Sequence, residues 1–72
     1  MNRTPLHSSN IASAGYDAEA QLLEVEFSNG GVYTYQGVEP EVYAGLMEAD
    51  SPGSYLHRNI KFRYAYTKGG TG

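Results

Sequence analysis

The sequence contains neither cysteine nor tryptophan among its 72 residues. Without cysteine, the fold has no disulfide and no thiolate-bound metal to stabilise it. A domain of this length buries only about 60% of the surface that its unfolded chain exposes. We therefore expect one small domain with a modest core, for which self-association is the remaining way to bury more surface.

Long apolar runs are also missing from the chain. No stretch approaches the ~20 apolar residues that a membrane-spanning helix needs. The first ten residues, MNRTPLHSSN, lack the apolar centre of a secretory signal peptide. We therefore expect a cytoplasmic protein that does not associate with membranes.

The residues that usually perform catalysis or bind metals are sparse. His7 and His57 do not have the spacing of metal ligands, and no cluster of carboxylates and histidines accompanies them. Asp50, Ser54 and His57 recur along one helical face, but a nucleophile and its base need the mutual geometry of a rigid pocket. We therefore predict a protein that is not an enzyme and that holds no metal and no cofactor.

Acidic and basic residues are distributed unequally along the chain. All eight acidic residues fall within residues 1–50, where Arg3 is the only base, giving this part a net charge of −7. Residues 51–72 carry four basic residues and no acidic one, a net charge of +4. Such a distribution indicates either a basic binding surface on an acidic body or two parts of one fold that attract each other.

The residue pattern predicts three strands in the first half, of which the first is small and partly polar. The first extends from Ile11 to Asp17. In LLEVEF, apolar residues alternate with Glu24 and Glu26, which is typical of a half-buried strand. The turn signal Asn-Gly and the return strand VYTYQ follow, so residues 22–36 form a β-hairpin.

The turn of this hairpin decides which way Tyr33 and Tyr35 face, since both rings lie on one side of their strand. With a two-residue loop, Tyr33 pairs with Glu26 and both tyrosine rings project outward. With a three-residue loop, Phe27 pairs with Tyr33 and Val25 with Tyr35, which places the rings in the core. The second glycine of Gly30-Gly31 favours the longer loop.

Helical periodicity begins after the hairpin. Pro40 suits the first turn of a helix that continues to about Asp50. Ser51 is a good N-cap and Pro52 a good first residue of a second short helix. Residues 60–66 fit both a strand and a continued helix; we predict a helix to about Ile60 and then an extended tail.

These elements predict an α+β domain, with a small antiparallel three-stranded sheet followed by two short helices packed on one face and an extended C-terminal tail. The domain covers residues 9–66. Residues 1–8 are predicted to be a flexible lead, and residues 67–72, TKGGTG with its glycines among them, a flexible tail.

Several segments, taken in order, resemble the KTSC domain, a short bacterial module also found at the C-terminus of some lysyl-tRNA synthetases. These segments are SSNIASAGYD, LEVEF, YTY, VEP and ADSPGSYLHRNIKFRY. The Tyr-x-Tyr of residues 33–35 matches the most recognisable mark of the family, and residues 51–55 match its Ser-x-Gly before a tyrosine. Ile60 and Tyr64 match its closing isoleucine and tyrosine, whereas the doubled glycine at residues 30 and 31 departs from its pattern.

The resemblance covers about residues 8–66 and implies no catalytic or metal-binding residues. Its link to a tRNA synthetase suggests RNA as a ligand, by analogy.

The C-terminal segment interleaves basic and aromatic residues, a combination that single-stranded RNA readers use. We predict that phosphates are bound by Arg58, Lys61, Arg63 and His57, and that bases stack in an aromatic groove formed from Tyr55, Tyr64, Tyr33 and Tyr35. The alternative is a protein-interaction or self-associating accessory module, of bacterial or phage origin, because tyrosine is enriched at protein interfaces. In that case the aromatic rings belong to the core, and the basic side chains are ordinary surface residues or ion-pair partners of the acidic half.

Overall fold

A computed structural model describes residues 3–69. Their elements, in chain order, are β1 (Arg3–Pro5), β2 (Ile11–Asp17), β3 (Leu22–Phe27), β4 (Val32–Tyr35), α1 (Pro40–Glu48), α2 (Pro52–Asn59) and β5 (Tyr66–Lys68). The strands form one antiparallel sheet in the order β1-β2-β3-β4-β5, and both helices are inserted between β4 and β5. The α+β architecture follows the sequence prediction, but the predicted three-stranded sheet is wrong, because the sheet has five strands.

The two unpredicted strands lie at the two edges of the sheet. In β1, Arg3 pairs with Gly15, and in β5, Tyr66 pairs with Tyr35. Each strand is only three residues long, too short to show a clear period, and each forms through pairing with a partner distant in sequence. Parts of the predicted lead and tail are therefore strands; residues 1–2 and 70–72 lie outside the described part of the chain.

The β3–β4 hairpin closes through a three-residue loop, residues 28–30. The amide of Phe27 donates to the carbonyl of Gly31 at 2.8 Å, and Gly30 adopts a φ of +93°, which glycine tolerates best. The resulting register pairs Val25 with Tyr33 and Leu23 with Tyr35. It is shifted by two residues from the predicted three-residue loop, so the pairings differ but the tyrosine rings still face the core side.

Both helices cover one face of the sheet and enclose the core there. Side chains from β2, β3 and β4 meet Leu46 of α1 and Leu56 of α2, and the buried cluster comprises Ile11, Ala14, Leu23, Val25, Tyr35, Val38, Leu46, Leu56 and Ile60. The helices contact each other closely where the Tyr55 ring lies over Gly45. A Cβ atom at position 45 would overlap the Tyr55 hydroxyl, so glycine permits this approach.

The opposite face of the sheet has no helix over it and is covered by its own polar side chains. Arg3, Gly15, Glu24 and Thr34 form one row across four strands. Since Gly15 has no side chain, Arg3 reaches over it and its Nε lies 3.3 Å from Glu24. In a neighbouring row the Ser13 hydroxyl donates to Glu26 at 3.0 Å.

Candidate functional site

A groove of about 880 Å³ lies on the helix-covered face, between α2 and the β4–β5 edge of the sheet. Its lining combines aromatic rings, basic side chains and a few uncharged polar groups, and contains no aspartate or glutamate. Within residues 3–69 it is the cavity in which the features of a ligand site coincide most clearly.

Aromatic side chains form the sheet wall of the groove. The centroid of Tyr66 lies 5.3 Å from that of Tyr33 and 5.7 Å from that of Tyr35, and Phe27 meets Tyr33 edge to face at 5.2 Å. Tyr35 is buried beneath this layer, whereas Tyr66 is 52% exposed. Burial raises the pKa of Tyr35, with smaller contributions from Tyr33 and Tyr66, so its hydroxyl is neutral around pH 7. The result is a rigid aromatic base with one accessible ring.

Helix α2 and the turn after it form the facing wall. Ser54, His57, Arg58 and Lys61 follow one another at helical spacing, which directs them toward the same side. The helix ends where the amides of Ile60 and Lys61 both donate to the carbonyl of Leu56. This ending turns the chain back and carries the next ring, Phe62, to the groove.

Phe62 is an exposed phenylalanine supported by its neighbours. Its side chain is 78% exposed, its ring meets His57 edge to face at 5.5 Å, and the Lys61 Nζ lies 5.6 Å from its centroid. Phe62 and Tyr66 are the two large hydrophobic side chains that the described residues leave exposed, and both line this groove.

Basic groups surround the rings and lack acidic partners. The Lys68 Nζ lies 5.9 Å from the centroid of Tyr33, so a cation stands at the strand side of the groove as well. In the described part of the chain, the only side-chain ion pair is that between Arg3 and Glu24, on the opposite face of the sheet. Arg58, Lys61 and Lys68 therefore have positive charge available for a ligand.

Uncharged polar residues occupy the part of the groove near the start of α2 and the hairpin turn. These residues are Asn10, Ser28, Asn29 and Ser54. The amide of Ser28 donates to the carbonyl of Asn10 at 2.9 Å, and the Asn10 side chain contacts Gly53, so the turn and the start of the helix meet there. One region of the groove is thus polar and neutral, and the other is basic and aromatic.

The structure brings together five of the eight residues predicted as the site. Lining the groove are His57, Arg58, Lys61, Tyr33 and Tyr35. The other three lie elsewhere: Tyr55 packs on α1, and the Tyr64 hydroxyl donates to Glu39 at 2.8 Å. This hydrogen bond is the main cause of the raised pKa of Tyr64. Arg63 is exposed but does not line the groove.

The groove also contains residues that the sequence-based set of site residues omitted. Phe27, Phe62 and Tyr66 line it, and Lys68 lies beside it. The interleaving of Lys61, Phe62 and Tyr66 with other basic and aromatic residues was a visible signal for part of this set. Lys68 had no such signal, because its position depends on the pairing of β5 with β4.

Three other properties of the described residues bear on function. No group of three His, Cys, Asp or Glu side chains among residues 3–69 is arranged to hold a metal ion. No helix in the same range is both long enough and apolar enough to cross a bilayer. The Ser54 hydroxyl accepts from Ser51 at 3.1 Å, and the described hydrogen bonds include none between Ser54 and His57.

Known proteins similar to this chain match between 71% and 96% of its length. A protein from Stutzerimonas stutzeri is 49% identical over 67 residues, covering 89% of this chain and 94% of that protein. A lysine–tRNA ligase from Trichormus variabilis is 39% identical over 51 residues, which are 71% of this chain but only 9% of the ligase. The crystal structure of a KTSC domain protein from Yersinia pestis superimposes with a TM-score of 0.90 at 36% identity, covering 96% of this chain and 97% of that one.

The family model of the KTSC domain matches residues 7–64, which include β2, β3, β4 and both helices. The match covers most of the chain and agrees with the structural similarity. This chain therefore belongs to the KTSC domain family.

Proposed function

We propose that this domain is a non-catalytic cytoplasmic binding module that binds single-stranded RNA, or a smaller phosphate-bearing nucleotide ligand, in the groove between α2 and the β4–β5 edge. The observation that carries the proposal is the meeting of two exposed rings, Phe62 and Tyr66, with basic groups that have no acidic partner in the described structure.

The chemistry of the groove suits unpaired nucleotides. Aromatic faces stack on unpaired bases, and each stacked base contributes about 1–3 kcal/mol by alanine substitution. Arg58, Lys61 and Lys68 bind phosphates by charge. A net charge of −3 for the whole chain disfavours a long duplex, whose recognition needs an extended basic surface.

The ligase relatives also favour RNA as the ligand. The lysine–tRNA ligase of Trichormus variabilis, whose name states a tRNA substrate, contains a stretch related to residues of this domain. RNA is therefore the polymer on which to test the groove first, with a single-stranded DNA of the same sequence as the comparison.

The test compares two charge reversals that change the net charge equally. Lys61→Glu lies in the groove, and Arg63→Glu lies on an exposed turn outside it. We expect Lys61→Glu to weaken the binding of a fluorescein-labelled single-stranded RNA of about six nucleotides at least tenfold, and Arg63→Glu by less than about threefold. Fluorescence anisotropy measures both dissociation constants.

Equal losses for the two variants would mean that attraction by net charge explains the binding and that the groove has no special part in it. No detectable binding of the wild-type domain to single-stranded RNA or to free nucleotides would reject the proposed function altogether.

The outer edge of β5, which pairs with no strand among residues 3–69, supports a second candidate, self-association. The amide of Gly69 donates to Val32 and that of Gln36 to Ala65, so the backbone groups of Tyr66 and Lys68 point away from β4. A second copy pairing its β5 antiparallel with this edge would join two sheets. Light scattering over a range of concentrations tests this candidate: a monomer throughout rejects it, and a dimer that RNA does not disturb would make both functions compatible.

A further inference from the structure

The position of Phe62 in the groove depends on the backbone turn that carries it. The ring meets His57 edge to face at 5.5 Å and lies beside Lys61, and 78% of the side chain is exposed. Both of these neighbours are exposed themselves, so neither encloses the ring. Phe62 can therefore keep its place only if the chain between the end of α2 and the start of β5 is held from elsewhere.

Backbone hydrogen bonds fix this turn at its two ends. At the start, the amide of Tyr64 donates to the carbonyl of Ile60, a fully buried residue. At the end, the carbonyl of Ala65 accepts from the amide of Gln36 at 2.8 Å. Within residues 61–65 the Tyr64 side chain is half-buried, and the side chains of the other four residues are exposed. Tyr64 is therefore the side-chain anchor of the turn.

The Tyr64 side chain connects the turn to the core and to the start of α1. Its ring packs against the buried cluster, and its hydroxyl donates to the Glu39 Oε2 at 2.8 Å. The Glu39 backbone is well fixed, because its carbonyl accepts from the amide of Val42 at 3.0 Å and the preceding residue, Val38, is fully buried. A hydrogen bond to a charged carboxylate is stronger than one between neutral groups. The turn is thus tied to a rigid part of the fold.

We propose that Tyr64 is a positioning residue of the groove, which holds Phe62 toward the ligand through its hydrogen bond to Glu39; this inference rests on the proposed RNA binding. Tyr64 itself does not line the groove. Without its hydroxyl the ring still packs on the core, but the turn gains conformational freedom. Ordering the turn when RNA binds then costs affinity, because a site that is not preorganised loses entropy on binding.

The first experiment is a double-mutant cycle, with the labelled single-stranded RNA of the previous test as the probe. Tyr64→Phe removes the hydroxyl and keeps the ring. We expect it to weaken binding about threefold in the wild-type background and to have little effect when Phe62→Ala is already present, because residues that act through one contact are not additive. A hydroxyl with a merely structural role would change the affinity by the same factor in both backgrounds.

Two substitutions at Glu39 provide a matched pair. Glu39→Ala and Glu39→Gln remove the same charge, but glutamine keeps an oxygen that can accept from the Tyr64 hydroxyl. We expect Glu39→Ala to bind RNA about twofold to threefold more weakly than Glu39→Gln. Thermal unfolding of each variant shows that the affinities compared are those of folded domains.

The outcomes separate this inference from the function on which it rests. If Phe62→Ala weakened binding and Tyr64→Phe did not, the positioning role would be wrong and RNA binding in the groove would stand. An equal loss from Tyr64→Phe in both backgrounds, or equal affinities of the two Glu39 variants, would also overturn the positioning role. If the wild-type domain bound no RNA, both the proposed function and this inference would be rejected.

Discussion

The two faces of the sheet differ in the partners of their charged and polar side chains. On the uncovered face, the Arg3 Nε lies 3.3 Å from Glu24 and the Ser13 hydroxyl donates to Glu26, although the Arg3 Nη1 is buried without a hydrogen-bond partner among the described residues. On the helix-covered face, basic residues stand beside exposed rings, and no carboxylate of the described residues pairs with them. Basic side chains beside exposed rings, rather than unpaired charge alone, therefore distinguish the groove, since Arg63 is also exposed and has no ion-pair partner among the described residues.

The largest effect should come from removing the rings that the groove exposes. Phe62→Ala combined with Tyr66→Ala is expected to abolish RNA binding in anisotropy titrations, because each lost stacking contact costs about 1–3 kcal/mol. The melting temperature should fall modestly, because Phe62 is 78% exposed whereas Tyr66 is 52% exposed and packs on Tyr33 and Tyr35. Thr34→Ala, on the uncovered face, is the matched control and should keep the affinity of the wild type. If the double variant bound RNA as tightly as the wild type, the rings of Phe62 and Tyr66 would not contribute to binding.

Salt dependence should reveal how many basic groups take part. Phosphate contacts by Arg58, Lys61 and Lys68 predict that log K falls with log[salt] with a slope near −2, since each contact to a single strand contributes about −0.7. Lys68→Ala should make the slope shallower by about 0.7. Titrations between about 50 and about 200 mM salt measure both slopes. A slope that is the same with and without Lys68 would place this residue outside the site.

Breaking the ion pair on the uncovered face should affect stability and leave binding unchanged. Glu24→Gln removes the charge that faces Arg3, at a position where both side chains are less than one-fifth exposed. We expect the free energy of unfolding in urea to fall by about 1 kcal/mol, with RNA affinity within a factor of two of the wild type. A lower affinity without a loss of stability would show that the uncovered face takes part in binding.

Alkaline pH should weaken the fold through its constrained tyrosines. Burial raises the pKa of Tyr35 above its ordinary 10.0, and the hydrogen bond to Glu39 does so for Tyr64. The folded state therefore keeps these phenols neutral where the unfolded chain ionises them. Their contribution is complete below about pH 10 and is lost as pH rises through the folded-state pKa values. Urea midpoints measured from about pH 9 to about pH 11 should fall, and Tyr64→Phe should reduce the fall.

The sequence predicted the elements that depend on local patterns. The alternation in LLEVEF and the turn signal at Asn29 and Gly30 located the hairpin, and Pro40 and Pro52 located the starts of both helices. The hairpin register was missed by two residues because the loop begins at Ser28. Turn chemistry constrains the type of loop more strongly than its starting residue. Because side chains alternate between the two faces of a strand, a register shift of two residues leaves each side chain on the same face.

The two edge strands and part of the groove could not be predicted in this way. Whether Tyr66 and Lys68 face the groove depends on the pairing of β5 with β4, which lies more than thirty residues away in the chain. The sequence pattern around Phe62 allowed both helix and strand. The observed turn follows from the end of α2, where the amides of Ile60 and Lys61 both donate to the carbonyl of Leu56. The same tertiary contacts direct Tyr55 and Tyr64 away from the groove, which no local pattern indicates.

The most direct test of the proposed binding groove is to map where RNA contacts the domain. Backbone and side-chain NMR signals of the ¹⁵N- and ¹³C-labelled protein are followed while single-stranded uridine RNA is added. We predict shifts at His57, Lys61, Phe62 and Tyr66, and none at Glu24 or Thr34. Shifts concentrated on the uncovered face, or spread evenly over both faces, would contradict the claim that the exposed rings and the basic groups beside them form the binding site.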